Sequence, residues 1–346
     1  MTDVKQKRYA LLRIALGCGI LGYLFWKMDL SLLGSVLAHA MDQWEWLVGG
    51  IVTTFLGLLM GVFRWDYILR AQGLRFTPSR VFSVFFIGQF FNAFMLGACG
   101  GDAARAIYVA RDAPGKRAEA ASTVFVDRAV GLFVLILFCC VMIAFRIPIF
   151  LDNQGIEWAG ILMLFFLIGS VAALLVLFRH NLFERWTLFK RFEESSGVGA
   201  MIRRIYDAFF RYRDHGRTIM QAAGLSVLNM IFLTLACYCF GCSLEINLPM
   251  IDYFTLFPVI TVLAAIPLTP GGLGLREGLF VTMFQAVHID AVQALPLSLM
   301  VYFGGVFWSL FGGVLFLGYS SSAGHTIRQE LDAIKHPDGD QSRTSD

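Results

Sequence analysis

Three pairs of opposite charges interrupt an otherwise apolar chain: Asp102 with Arg105, Asp127 with Arg128, and Arg276 with Glu277. Arginine presents a planar fork of donors that matches phosphate or carboxylate. A neighbouring acid can neutralise it when no anion is present, or carry a proton. Charges are costly in hydrocarbon, so each pair is a candidate functional position, the alternative being a local ion pair or an interfacial anchor. The chemistry such groups suit is binding and moving an anion. The six histidines are scattered singly, and no Cys/His spacing resembles a metal site. No Gly-x-x-x-x-Gly-Lys is present to cradle ATP. Gly272-x-Gly274 fails the dinucleotide fingerprint because position 277 is Glu and no parallel-sheet context surrounds it. No catalytic group, metal or cofactor is therefore expected.

The backbone around these charges is as telling as the charges. Arg276 and Glu277 close the stretch PLTPGGLGLREG, residues 267–278, between the apolar runs 253–266 and 279–287. Pro267 and Pro270 each remove a backbone donor, and Gly271, Gly272 and Gly274 permit dihedrals other residues avoid. No continuous helix can pass through. Irregular backbone at membrane depth survives only where protein or a wet cavity surrounds it, and broken helices are how transport proteins commonly build mid-membrane sites. An ordinary extramembrane turn is the alternative, but the flanking runs are too short for full spans. Gly97, Gly100 and Gly101 loosen a second stretch, where Asp102 is placed to cap a helix over 103–110 and Arg105 lies one turn on. Asn92, inside the preceding apolar run, is a cavity-facing donor or a buried residue bonding to backbone. Asp127 and Arg128 point about 100° apart on a helix, so Asp127 is expected to pair with Arg105 or Arg276, and Arg128 to face the headgroups.

Of 346 residues, 57% are hydrophobic and 15% charged, against about 25% charged in soluble domains. Seven apolar runs of 17 to 23 residues are present, which places the chain in a membrane. Seven cysteines, mostly within those runs, read as small core or lipid-facing residues and not as disulfides. The net charge of +3 is too small to suggest nucleic acid. Lys5, Lys7 and Arg8 precede the run 9–26, expected as an uncleaved first span because no small-residue cleavage site follows. Further runs cover 44–63, 81–98, 129–145, 158–178, 218–240 and 296–318, and the tail 323–346 is polar and expected to be disordered. The segment 179–217 carries nine Lys/Arg against five Asp/Glu with an apolar stripe through Tyr212, suiting a helix on an anionic cytoplasmic leaflet or one packed on the protein.

Lys and Arg crowd the N-terminus, 64–80, 104–128, 179–217 and the tail, while 27–43, 146–157, 241–252 and 288–295 hold only Lys27 and Arg146. The positive-inside rule makes the first group cytoplasmic, both termini included, and the second external. Both ends of 81–98 then lie on one side, so that run is expected as a re-entrant hairpin, and 267–277 as its counterpart from the opposite face. The expected fold is an all-α polytopic membrane protein with about six transmembrane helices plus two re-entrant helical hairpins. It forms a single domain over 1–322, with inverted halves at about 9–145 and 158–318. Seven or eight plain crossings are the alternative.

Gly101-Asp102-x-x-Arg105, Asp127-Arg128 near a span start, and Pro267-x-x-Pro270-Gly271-Gly272-x-Gly274-x-x-Glu277 resemble the lysylphosphatidylglycerol synthase transmembrane-domain family of flippase-like membrane proteins. The likeness runs from about residue 9 to 320. It departs at Asp127, where the family favours Glu, and in having a short tail where larger relatives carry a soluble aminoacyl-transfer domain, so lysyl-lipid synthesis is not implied. The resemblance implies movement of a phospholipid or polyprenyl-phosphate type lipid between leaflets of a bacterial cytoplasmic (inner) membrane. Asp102, Arg105, Asp127, Arg128, Pro270, Gly271, Gly272, Gly274 and Glu277 are the implied functional set. A non-transporting partner of a lipid-modifying enzyme or glycosyltransferase is the second reading, and a membrane enzyme using Asp338-Gly339-Asp340 or Ser322–His325 the third.

Overall fold

The computed structural model of the chain describes residues 40–94, 100–113, 115–153, 155–178, 212, 216–266 and 274–322. The expected first span 9–26, most of 179–217 and the tail 323–346 lie outside the described residues. Regular structure among the described residues is wholly helical. In chain order the helices are α1 Trp44–Ala71, α2 Pro78–Phe94, α3 Gly100–Arg111, α4 Arg117–Phe145 and α5 Ile147–Leu151, then α6 Glu157–Phe178, α7 Gly216–Ser243, α8 Met250–Ala264, α9 Leu275–Gln285 and α10 Ala291–Ser322. α1, α4, α7 and α10 are long and apolar enough to cross a bilayer. Large apolar side chains stand exposed on α4, α6 and α10, among them Leu132, Leu137, Ile161, Phe165, Phe307 and Val314. In water such a surface would aggregate; in a multi-pass membrane protein it meets lipid.

α1 and α7 form the central antiparallel pair, seen in the contacts of Trp46 with Tyr238, Gly57 with Asn229 and Arg64 with Ser226. Their ends therefore lie at opposite ends of the bundle. α2 follows the end of α1, and α8 follows the end of α7, so the two elements that come next start from opposite faces. Each folds back on itself. Arg80 at the base of α2 donates two hydrogen bonds, 2.5 and 2.8 Å, to Asp112 just past α3. Tyr253 and Phe257 on α8 meet Phe284 and Phe280 on α9. The helical interruptions expected from glycine and proline are thus present as two hairpins, α2/α3 and α8/α9; residues 95–99 and 267–273 lie outside the described residues.

The packing has an internal order. α2 lies on α10, and α8 lies on α4; α3 lies on α4, and α9 on α10. α7 touches α4 and α8 as α1 touches α10 and α2. Exchanging α1, α2, α3 and α4 for α7, α8, α9 and α10 leaves this set of packed pairs unchanged, with α5 and α6 standing outside it. Two large apolar cores result among the described residues, beside a small one of Ile68, Val126, Tyr212 and Ala222. One gathers Trp65, Phe85, Phe86, Phe91, Tyr108 and Phe316 around α2/α3. The other gathers Phe240, Tyr253, Phe257, Phe280, Phe284 and Leu297 around α8/α9. The Arg146–Asp252 ion pair, 2.7 Å, fastens the end of α4 to the start of α8. Tyr212, the described member of the basic segment's stripe, is buried and donates to the Ile68 carbonyl at 3.0 Å, so at that point the segment packs on protein.

Candidate functional site

Close approach of α2 and α3 creates the first charged cluster. A Cβ on Gly101 would lie 2.0 Å from the Gly88 carbonyl oxygen and 2.4 Å from Asn92 Cγ, so only glycine fits. The Gly101 amide donates to Asn92 Oδ1 at 3.0 Å, which makes Asn92 a half-buried clasp between the limbs. α3 already includes Gly100 and Gly101, so Asp102 sits in the first turn and not at the cap position expected for it. Its carboxylate instead accepts two hydrogen bonds from Arg128, 2.7 and 2.8 Å, and lies 3.8 Å from Arg105. Arg128 is half exposed yet tied to α3, not simply turned to the headgroups.

Asp127 is fully buried and stands at the centre. It accepts from Arg64 Nε at 2.7 Å and from Arg105 Nη2 at 3.1 Å. Its partners are thus Arg105, one of the two expected, and Arg64; Arg276 belongs to the other hairpin. Arg64 Nη1 donates to Ser226 on α7 at 3.2 Å. The Arg105 guanidinium lies 4.3 Å from the Trp65 ring centroid and 4.8 Å from that of Phe85, with its Nε buried and unpartnered. Rings over a desolvated cation attract it through their quadrupoles. Three guanidiniums therefore face two carboxylates, and α1, α3, α4 and α7 converge on one site.

The second cluster sits where α9 starts. Gly274 adopts φ +82°, which favours glycine. Its amide donates to Glu277 Oε2 at 2.6 Å, so the buried carboxylate closes the helix start. Arg276 pairs with Glu277, reaches Ser298 Oγ on α10 at 3.4 Å, and lies 4.4 Å from the Tyr302 ring centroid. Pro267, Pro270, Gly271 and Gly272 lie outside the described residues.

Arg64, Trp65, Gly88, Ser226, Ser298 and Tyr302 complete these clusters without having been singled out in the sequence. Arg64 carried no local signal as a site residue, because the apolar run 44–63 ends just before it. α1 continues without a break through Arg64 to Ala71, so this arginine is inside a helix, not after one. Among the described residues no group of three or more His, Cys, Asp or Glu is placed to hold a metal.

Residues 10–312 match a family profile described as lysylphosphatidylglycerol synthase TM region. Three archaeal relatives, each a UPF0104 membrane protein, are similar to the chain. That of Methanocaldococcus jannaschii is 22% identical over 72% of this chain and 78% of its own length. That of Methanothermobacter thermautotrophicus is 24% identical over 69% and 75%. That of Pyrococcus horikoshii is 23% identical over 90% and 97%.

Proposed function

We propose, since the chain belongs to the lysylphosphatidylglycerol synthase TM region family, that it is a flippase-like lipid translocase moving an anionic phospholipid or polyisoprenoid-linked lipid between leaflets. The observation that carries this reading is the placement of Arg105, paired to the buried Asp127 of α4, and of the Arg276–Glu277 pair on two hairpins that start from opposite ends of the bundle. A headgroup phosphate cannot enter hydrocarbon unaided, since an unsolvated ion costs tens of kcal/mol by idealised estimates. Fixed guanidiniums and hairpin helix ends substitute for its water. The carboxylates hold the arginines neutralised between passages, and the surplus guanidinium of the first cluster favours an anion.

The two clusters sit at comparable distances from helix ends. Arg64 is seven residues from the end of α1 and Ser298 seven residues into α10, each about 10 Å along its helix, so each hairpin offers a headgroup a charged station. The exchange of packed pairs between the halves supports an inverted repeat with hairpins from opposite faces; the setting proposed for it, from the distribution of Lys and Arg, is a bacterial cytoplasmic membrane with both termini inside. An ion gradient, the lipid gradient or a partner drives transport.

Purified protein in liposomes with headgroup-labelled lipids, read by a membrane-impermeant quencher, tests this. Wild type accelerates exchange of a phospholipid or polyprenyl phosphate, and Arg105→Gln slows it. Absence of acceleration with every such lipid would overturn translocation in favour of a non-transporting partner of a lipid-modifying enzyme.

A further inference from the structure

α1 has a second working face. While Arg64, Trp65, Ile68 and Leu69 turn inward, Leu59, Phe63, Asp66, Tyr67 and Arg70 turn toward α2 and the outside. With Pro78, Ser79 and Phe82 of α2 they line an open groove of about 450 Å³. Its lining is graded. Asp66, Arg70 and Ser79 occupy the end where the chain turns from α1 into α2, and Leu59, Phe63 and Phe82 occupy the other. Leu59 and Arg70 are eleven positions apart on one helix, about 16 Å at the helical rise. One leaflet contributes about 15 Å of hydrocarbon. The groove is therefore one leaflet deep, polar at its mouth and apolar at its floor.

The mouth carries both signs of charge. Arg70 and Asp66 form an ion pair at 2.6 Å, with the Arg70 side chain 55% exposed and that of Asp66 15% exposed. A headgroup of a single sign would meet attraction from one partner and repulsion from the other. A headgroup holding a phosphodiester and an ammonium can satisfy both, phosphate on Arg70 and ammonium on Asp66. We propose that this groove binds one zwitterionic aminophospholipid, its headgroup on the Asp66–Arg70 pair and an acyl chain along Leu59, Phe63 and Phe82. The site lies apart from the ion-paired clusters of the hairpins, and it stands whether or not those clusters translocate lipid.

A photoreactive benzoylphenylalanine at Phe63, an exposed floor position, tests the proposal in the full chain reconstituted in liposomes. The probes are alkyne-tagged phosphatidylethanolamine, phosphatidylglycerol and diacylglycerol at equal fraction. Phosphatidylethanolamine is expected to dominate the adducts by about tenfold, the ratio one hydrogen bond to a charged group supports. Arg70→Gln and, separately, Asp66→Asn bring its yield down to that of the other two, with gel-filtration profiles reporting the fold. Equal labelling by all three lipids, which is ordinary bilayer contact, overturns the proposal. So does a preference for phosphatidylglycerol.

Discussion

Neutralising Asp127 should damage the fold more than any other single charge removal. Its carboxylate is wholly buried and is the shared acceptor for Arg64 at 2.7 Å and Arg105 at 3.1 Å. Removing one member of a buried ion pair leaves the other charge desolvated and uncompensated, typically costing about 3–5 kcal/mol. Asp127→Ala strands two guanidiniums, so the full range applies; Asp127→Asn keeps one acceptor oxygen and falls near the lower bound. Unfolding entropy of about 2.1 cal/mol/K per residue gives roughly 0.7 kcal/mol/K for a chain of this length. The expected drop in melting temperature for Asp127→Ala is thus about 4–7 °C, read by intrinsic fluorescence in detergent. Replacing Asp127, Arg64 and Arg105 together by apolar residues of similar volume should recover most of that drop, because no unpaired charge remains. An alanine variant that melts with the wild type would refute the buried clamp, and a triple variant worse than the single would refute the stranded charge as cause.

The second cluster responds differently to two changes at one position. Glu277→Gln keeps an acceptor for the Gly274 amide, whereas Glu277→Ala leaves that buried donor bare, so alanine should be the less stable by about 1–3 kcal/mol in the same melting assay. Gly101→Ala drives a methyl onto the Gly88 carbonyl, and the chain should fail to run as a single species on gel filtration, while Gly169→Ala, open on α6, should run normally. Cys139 and Cys237 are buried and should resist maleimide in folded protein yet label fully once it is denatured, whereas half-buried Cys242 should label at a measurable rate before unfolding.

Much of the site was legible because a charge among apolar residues stands out on any scale. Asp102, Arg105 and Asp127 announce themselves that way, and Pro267 and Pro270 announce the break before α9. Helix ends were less legible. Hydropathy marks 44–63 and 129–145, but α1 runs on to Ala71 and α4 begins at Arg117. Turns of helix that are amphipathic carry no apolar run, so Arg64 read as one more cytoplasmic positive charge. Its role depends on α1 and α4 lying antiparallel with Trp65 beside Thr123, a pairing across 58 residues of sequence that local spacing cannot encode. Asp102 shows the same limit. Its type suits a helix cap, yet Arg128 on the neighbouring helix claims its carboxylate.

The crosswise packing of the hairpins bears on how such a chain is made. Phe82 and Phe86 of the first hairpin rest on Phe311, and a Cβ at Gly312 would strike the Phe86 carbonyl at 2.0 Å. That surface is finished only when Gly312 of α10 arrives, 226 positions after Phe86. At about 5–20 residues per second, the ribosome needs roughly 10–45 s to deliver it. For that interval the first half sits in the bilayer with the flank of Phe82 and Phe86 open. Its assembly is a wait for a late-born partner, and any factor that shields this flank would act during those seconds.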